Sequence, residues 1–469
     1  MKNLHLAVLV VPCLLAVTAC TVGPNYQRPS TTDITPHDWH WKESGSATRP
    51  ATVPAPTDGA WWKVFADPQL DALESDALER NQNLIAAIAR IEQSRAVARE
   101  TQSASYPQLS AGASWNRSQA VMLNQSMLMS TYSIPFDVSY EVDLWGKIRR
   151  SYESANARTQ VSQDDARQIV LLLTSDVALN YFQAQTLDAQ AVTLRRTVEL
   201  RQETATTLRQ KFDAGTIPEI DLSRALTDLS TAQADLAAVG RTRAEVQNAI
   251  ALLCGYAASD FSLSEQALST ATPEIPAGMP SELLERRPDI LSAEATLMAR
   301  NAEIGVAISG YFPVVRLTAS GGVMSADAKS LFNLDSGVWS IGPSLSVPIF
   351  TGGRTEADVR RAKAVYAESV ANYKQSVLTA FKDVEDALVD IHYLAQQVQA
   401  YQEAQTNARR ATDLAQLRYR GGTTSNLEVV DAERIQLQVE LLAKSTQGQQ
   451  LAASVRLIKA LGGGWNAAP

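Results

Sequence analysis

The chain is short of the residues that most often carry chemistry. It has three cysteines and four histidines in 469 residues. Cys13 and Cys20 lie in or beside an N-terminal leader, so Cys254 would stand alone in the mature protein and no intrachain disulfide framework can form. In Ala251-Leu252-Leu253-Cys254-Gly255 the thiol reads as a small core residue rather than a reactive one. Aromatics make up only 6% of the residues. The net charge is −8 with no basic cluster, which argues against nucleic acid as a partner. Beyond the leader no apolar run reaches the ~18 residues of a membrane-spanning helix. No nucleophile–base constellation, metal-spaced His/Cys set or phosphate loop is present, so no enzyme and no metal or cofactor is expected. His37-Asp38-Trp39-His40-Trp41 offers two histidines without further ligands, which is weak for a metal. Proline and glycine are themselves missing from Lys147 to Ala214. If helical throughout, that stretch would be about 100 Å long.

What is present begins with a secretory leader over residues 1–19: Lys2, an apolar run from Leu6 to Val17, then Thr18-Ala19. The ending Leu15-Ala16-Val17-Thr18-Ala19-Cys20 resembles a bacterial lipoprotein signal. That resemblance implies that Cys20 is acylated and becomes the mature N-terminus, and Thr21 after it favours the outer membrane. Residues 20–60 are rich in Pro, Thr and Ser and read as an extended segment draped on a surface or free.

The folded part opens at Trp61-Trp62. Asp67-Pro68 starts a helix with proline in its first turn, running to about Ser105, with Leu70, Leu73, Ala77, Leu84, Ile88 and Ile91 on its apolar side. Tyr106-Pro107 breaks it. Leu109, Ala111, Ala113 and Trp115 then alternate with Ser110, Gly112, Ser114 and Asn116. After a polar loop with Met122, Met127 and Met129, a second alternation follows. Tyr132, Ile134, Phe136, Val138, Tyr140 and Val142 are apolar; Ser133, Asp137, Ser139, Glu141 and Asp143 lie between them. That is a strand with one greasy and one wet face. The loop methionines read as flexible apolar residues, with soft-metal ligation as the alternative. In the long segment Leu173, Val177, Ala184, Leu187, Ala191, Leu194, Val198, Ala205, Leu208 and Phe212 follow 3–4 spacing, near the period of a coiled coil. Gly215 suits a left-handed cap, and a return helix runs from about Pro218 to Cys254. Residues 256–280 are loop-like.

The pattern then repeats at an offset of about 206 residues, too long for a short-repeat solenoid. Tyr311-Phe312-Pro313 echoes Tyr106-Pro107. Val315, Leu317 and Ala319 alternate with Arg316, Thr318 and Ser320; Trp339, Ile341, Leu345, Val347 and Ile349 alternate with Ser340, Gly342, Ser344 and Ser346. A second long helix carries Phe381, Val384, Leu388, Ile391, Ala395 and Val398, and ends at Tyr419-Arg420-Gly421-Gly422-Thr423. Length alone would suggest two to four domains; the repeat argues for one elongated unit of two halves. The expected divisions are a first repeat over 61–260, with strands near 107–117 and 131–143 and helices 146–212 and 218–254. A linker over 261–280 follows. The second repeat covers 281–462, with strands near 313–323 and 338–350 and helices 354–420 and 426–461, and a tail covers 463–469.

Strands of this length and polarity suit a membrane barrel, with aromatics such as Trp115, Trp145, Trp339 and Phe350 near the strand ends. Four strands cannot close around a bore, and open edges are not tolerated in lipid. Two copies would give about eight strands around a filled interior, three about twelve around a lumen. On this reading Ser133, Asp137, Ser139, Glu141, Asp143, Arg316 and Ser344 face the lumen. The expected fold is thus mainly α with membrane β.

Several stretches resemble the outer-membrane channel lipoproteins of tripartite, RND-type efflux systems, in the TolC-like superfamily. They are Thr21-Val22-Gly23-Pro24-Asn25-Tyr26, Trp61-Trp62 with Asp67-Pro68, Leu283-Leu284-Glu285-Arg286-Arg287-Pro288-Asp289-Ile290, Ala293-Glu294 and Tyr311-Phe312-Pro313. The resemblance implies a homotrimer with a twelve-stranded β-barrel continued by a long helical coiled-coil tunnel. It implies docking to a periplasmic adaptor (membrane fusion) protein and an inner-membrane RND transporter, and passive passage of drugs or other small toxic compounds. It also implies a gate at the periplasmic helix tips. Glu428 and Asp431 fall on acidic positions that ring the bore, Leu427 adds an apolar collar, and Asp221 is the acidic partner of Tyr419. Thr424 departs from an arginine of some relatives. Alternatives are a type I protein-secretion channel and a lipid-anchored coiled-coil structural protein.

Overall fold

The computed structural model describes residues 21–41, 59–122, 125–269, 272–273, 275 and 280–463. The leader, Cys20 and the segment 42–58 lie outside the described residues. The chain is mostly helical with one antiparallel sheet. Among the described residues no helix is long and apolar enough to cross a membrane. The helices are α1 (Pro68–Arg80), α2 (Gln82–Ser103), α3 (Lys147–Asp213), α4 (Glu219–Leu253), α5 (Pro288–Ser309), α6 (Arg354–Arg420) and α7 (Asn426–Ala460). The strands are β1 (Gln108–Ala111), β2 (Ser114–Met122), β3 (Gln125–Val142), β4 (Val314–Ser325) and β5 (Gly337–Ser346).

Contacts divide the chain into two compact units. The first holds the residues up to Ser30, Ile88–Asp164 and Leu291–Gln375; the second holds Thr31–Ala87, Asp165–Ile290 and the chain from Ser376 on. Long helices contribute to both because their contacts are set turn by turn along their length.

The first unit contains the sheet, ordered β1-β3-β4-β5 with β2 also on β3. The strand expected over 107–117 is interrupted at Gly112 and Ala113. The cause is on its neighbour: Pro135 of β3 has no N–H to donate, and only the Gly112 N–H to Pro135 O bond, 3.1 Å, spans the gap. Register is unchanged across it, since Ala111 faces Phe136 and Ser114 faces Ser133. The methionine loop is not a loop. Met122 ends β2 and Met127 and Met129 lie within β3. The last strand stops at Ser346, short of the expected end, and leaves Ile349 and Phe350 beyond it. Gly322 faces Pro135, and a Cβ there would lie 2.2 Å from the Ile134 carbonyl oxygen. The closeness of the two strands therefore depends on glycine.

The second unit has the large hydrophobic core. Trp61, Trp62, Leu70, Tyr181, Phe182, Ile250, Leu451 and Ile458 pack together there, each large side chain contributing about 1.5–3 kcal/mol by leaving water. Leu263 and Leu268, expected in a linker, are buried in the same core. The Asp67 carboxylate caps α1 through the Gln69 and Leu70 amides and also accepts from the Tyr181 hydroxyl at 2.8 Å. The helix expected from Asp67 to Ser105 breaks at Asn81, whose side-chain oxygen accepts from the Asn83 and Leu84 amides and so starts α2 as a fresh N-cap.

The apolar series of α3 is buried at Leu173, Val177, Ala184, Leu187, Ala191, Leu194, Ala205 and Leu208. In α6 the stripe drifts: Phe381 and Val384 are buried, then Ala387 and Leu394, while Ala395 is exposed. Helices α3 and α6 both have 67 residues, and α4 and α7 both have 35. The two turns between them share their hydrogen bonds. Thr216 N–H donates to Lys211 O at 2.9 Å and Thr423 N–H to Arg418 O at 3.0 Å. Gly215 and Gly422 take φ of +68° and +69°, where a side chain is strained.

Two outcomes test this packing. Gly322→Val should split β3 from β4, read as a lower unfolding temperature and faster amide exchange across both strands. Glu74 on α1 is fully buried with both carboxylate oxygens unpartnered. Burial, and secondarily the charge of Asp71, push its pKa up to about 9 from 4.5. The folded state then keeps a proton that the unfolded chain releases, so this group's contribution is fully present below about pH 4.5 and is lost as pH rises towards 9. Glu74→Gln should raise the unfolding midpoint more at pH 8 than at pH 5.

Candidate functional site: wet sheet face and helix tips

Residues directly opposite on paired strands share a face, and successive residues alternate. The register therefore sorts the sheet. One face carries Leu109, Val138, Ala319 and Ile341 in one row and Phe136 and Trp339 in the next. The other carries Ser110, Asp137, Ser320 and Ser340, then Ser139 and Thr318, then Glu141, Arg316 and Ser344. Ser133 lies on the same wet face, opposite Met324. Arg316 sits 3.4 Å from Glu141, which also takes Lys147 at 3.0 Å. The Ser344 hydroxyl donates to the Arg316 carbonyl. Asp143 has another place: it lies past the end of β3, and its carboxylate accepts from the Ile148 and Arg149 amides at 3.1 and 2.9 Å. It caps α3 where the strand hands over to the helix. Trp145 completes that junction by donating its indole N–H to Pro313 O at 2.7 Å and stacking on Phe312.

The helix tips bring three of the five expected gate residues together. Asp221, Leu427 and Asp431 line one cleft of about 580 Å³ formed by the first turns of α4 and α7. Arg201, which interrupts the apolar series of α3, also lines it and pairs with Asp228 at 3.5 Å. Glu428 reaches back across the turn to Arg418 at 3.5 Å, and Asp431 pairs with Arg434 at 2.6 Å. Both pairs are exposed and worth at most about 1 kcal/mol each. Among the described residues no hydrogen bond joins Tyr419 to Asp221. The Thr424 hydroxyl oxygen is buried without a partner. Sequence reasoning missed Arg418 and Arg434. Arg418 is ten positions before Glu428, and only the tight Gly421-Gly422 turn brings them together.

The segment after Cys20 is fixed to the first unit. Val22 N–H donates to Trp145 O at 3.0 Å, and Asn301 donates to Pro24 O at 2.9 Å. Arg150 donates to Asn25 at 2.7 Å, and Arg28 and Tyr26 both donate to Glu294. Gly305 of α5 lets the segment pass, since a Cβ there would meet Val22 O at 2.9 Å. In the second unit His40 and His392 both pack on the Trp41 ring, and His40 N–H donates to Glu385. These histidines serve packing, and no cluster of three or more His, Cys, Asp or Glu suited to a metal occurs among the described residues. Cys254 is fully buried, and desolvation pushes its thiol up to about 12, which leaves it unreactive. Arg287 of the Arg-Arg-Pro-Asp stretch is buried and donates to Asp289, Asp383 and the Ala460 carbonyl. It ties the start of α5 to α6 and the end of α7, a role the sequence alone did not disclose.

The outer membrane efflux protein family model matches residues 73–256 and 279–463, and the chain belongs to that family. It is 34% identical over 462 residues to the solvent efflux pump outer membrane protein SrpC of Pseudomonas putida, covering 97% of each chain. It is 30% identical over 451 residues to the cation efflux system protein CusC of Escherichia coli K12, covering 96% of this chain and 97% of CusC. The solved outer-membrane channel OprN matches with a TM-score of 0.87 and 29% identity, over 95% of this chain and all of that one. The protein is an outer-membrane efflux component, a transport duct and not an enzyme.

Gly305→Leu should detach the N-terminal segment, read as faster chymotryptic cleavage after Tyr26 with the helical circular dichroism unchanged.

Proposed function

We propose that the chain is one third of a passive exit duct that carries small toxic compounds, solvents or cations among them, from periplasm to exterior in a tripartite pump. The observation that carries this reading is the sheet with one wet face, one apolar face and two open edges. Trp339, Ile341 and Leu345 are exposed on the apolar face at 80%, 74% and 66%, which water would penalise and lipid would not. Among the described residues the outer edge of β5 and the outer edge of β1 and β2 lack partners, and lipid forbids unpaired backbone groups. Pairing β5 of one copy with β1 and β2 of the next satisfies both. With β1 and β2 counted as one interrupted strand, each copy supplies four staves, and three copies close a barrel of about twelve strands with a bore.

Ser133, Asp137, Ser139, Glu141, Arg316 and Ser344 then line the lumen. Helices of matching length, with starts and ends both displaced by 207 residues (354 − 147 and 420 − 213), support two structural repeats that form the tunnel wall. Glu428 and Asp431, with Leu427, are the gate, where three copies of each carboxylate repel one another and attract cations. Asp221 and Tyr419 belong to the same gate, where a contact between them would help hold it shut. Cys20 carries the lipid. The clamp that holds Val22 to Trp145 supports this because it fixes the segment that begins just after Cys20 beside the strand-to-helix junction. A periplasmic adaptor and an inner-membrane RND transporter complete the pump and supply the energy.

The test is conductance in planar bilayers with the oligomeric state measured in parallel. Trimers that conduct are expected; a monomeric, non-conducting product overturns the reading. Glu428→Gln with Asp431→Asn should raise conductance or lower cation selectivity severalfold, and no change in either rejects the gate.

A further inference from the structure

The far end of the sheet holds apolar side chains on the wrong face. Past Ser325 of β4, β3 pairs only with β2, so residues from Gln125 to Thr131 form a two-stranded extension. Met129 lies opposite Ser118 and Met127 opposite Ala120. Alternation along β3 puts both on the face of Thr131, Ser133, Asp137 and Glu141. The opposite face of the same hairpin has Leu128 and the stacked pair Trp115 and Tyr132, ring centroids 6.2 Å apart, together with Arg117, Gln119, Ser126 and Ser130. Met324, opposite Ser133, is again on the wet face. Met127, Met129 and Met324 are about half exposed, at 51%, 46% and 47%. Met127 and Met129 are next neighbours on one face of β3, beside Ala120, Ser118 and Thr131.

We propose that Met127 and Met129 form a binding site for a soft monovalent cation, copper(I) or silver(I), on the luminal face near the exit of the duct. The proposal rests on the reading that this face lines the bore. Residues two apart on a strand are about 7 Å apart, and each thioether swings on three rotatable bonds. Both sulfurs can therefore reach one ion. Thioethers select such ions over the hard cations that carboxylates and hydroxyls prefer, so serine and threonine neighbours do not compete. Met324 lies about 14 Å further along the sheet from Met129, too far to share the ion but on the same path.

The test uses silver nitrate and the full-length protein in chloride-free buffer, with Cys254→Ser throughout to remove the buried thiol as a competing sulfur. Methionine methyls are labelled with carbon-13 and assigned through Met127→Leu and Met129→Leu. Silver should shift both methyl signals in parallel while Met298 of α5 stays in place. Either single substitution should weaken silver binding at the remaining methionine at least tenfold. Unmoved signals at tenfold excess silver, or a Met127 shift unaffected by Met129→Leu, overturn the site. In nitrate bilayers silver should reduce the current at concentrations at least tenfold lower for the unsubstituted methionines than for the double Leu variant. Normal conductance with unmoved methyls rejects the site and keeps the channel. Shifted methyls in a non-conducting protein keep the site and reject the luminal reading beneath it.

Discussion

Every backbone amide and carbonyl that enters lipid must find a partner within protein, because hydrocarbon offers none. The sheet meets that demand along β3 and β4 but leaves its two outer edges open. The rest of the molecule is arranged around this constraint. The strands pass into helices at two junctions, one built on Asp143 and Trp145, the other on Gly352 and Gly353 with φ of +61° and +85°. Helices satisfy their own backbone, so the proposed barrel closure concerns the sheet alone, and the long segments beyond it are free to be specified by side-chain packing.

That division of labour decides what could be read in the sequence. The apolar series from Leu173 to Phe212 was legible because each member is a contact of one helix face, and periodicity reports such contacts directly. The two-faced strands were legible for the same reason. The break at Asn81 was not, because asparagine is tolerated in a helix and becomes a cap only when its oxygen turns to the amides that follow. Nor was the split of the first strand, since the residue responsible, Pro135, sits on the neighbouring strand. The exposure of Ala395 shows a third limit: the buried positions of α6 pass from Phe381 and Val384 to Ala387 and Leu394, a larger rotation than the ~20° per heptad of a straight helix, so a period read at one end of a long helix does not hold along all of it.

At the tips the acidic residues were legible by type and position, and their partners were not. Arg418 meets Glu428 across a turn, a relation that depends on the left-handed Gly422. The corresponding positions of the other turn, Lys211 and Asp221, form no ion pair among the described residues. The backbone hydrogen bonds of the two turns match, and their charges do not. Arg287 is a comparable case in the core. Its buried guanidinium is satisfied by two carboxylates and a carbonyl, and removal of any one partner would strand a charge away from water.

The twin helix lengths have a consequence for how such a chain can be altered. Each tip is held by one long and one returning helix, so a deletion confined to one of them puts its apolar seam out of step with its partner's. Removing seven residues from α3 alone would leave α4 with an unmatched pair of turns. Removing seven from α3, α4, α6 and α7 together keeps every seam in phase and draws both tips back by about 10 Å. The chain is therefore adjustable in length only in whole heptads and only four helices at a time.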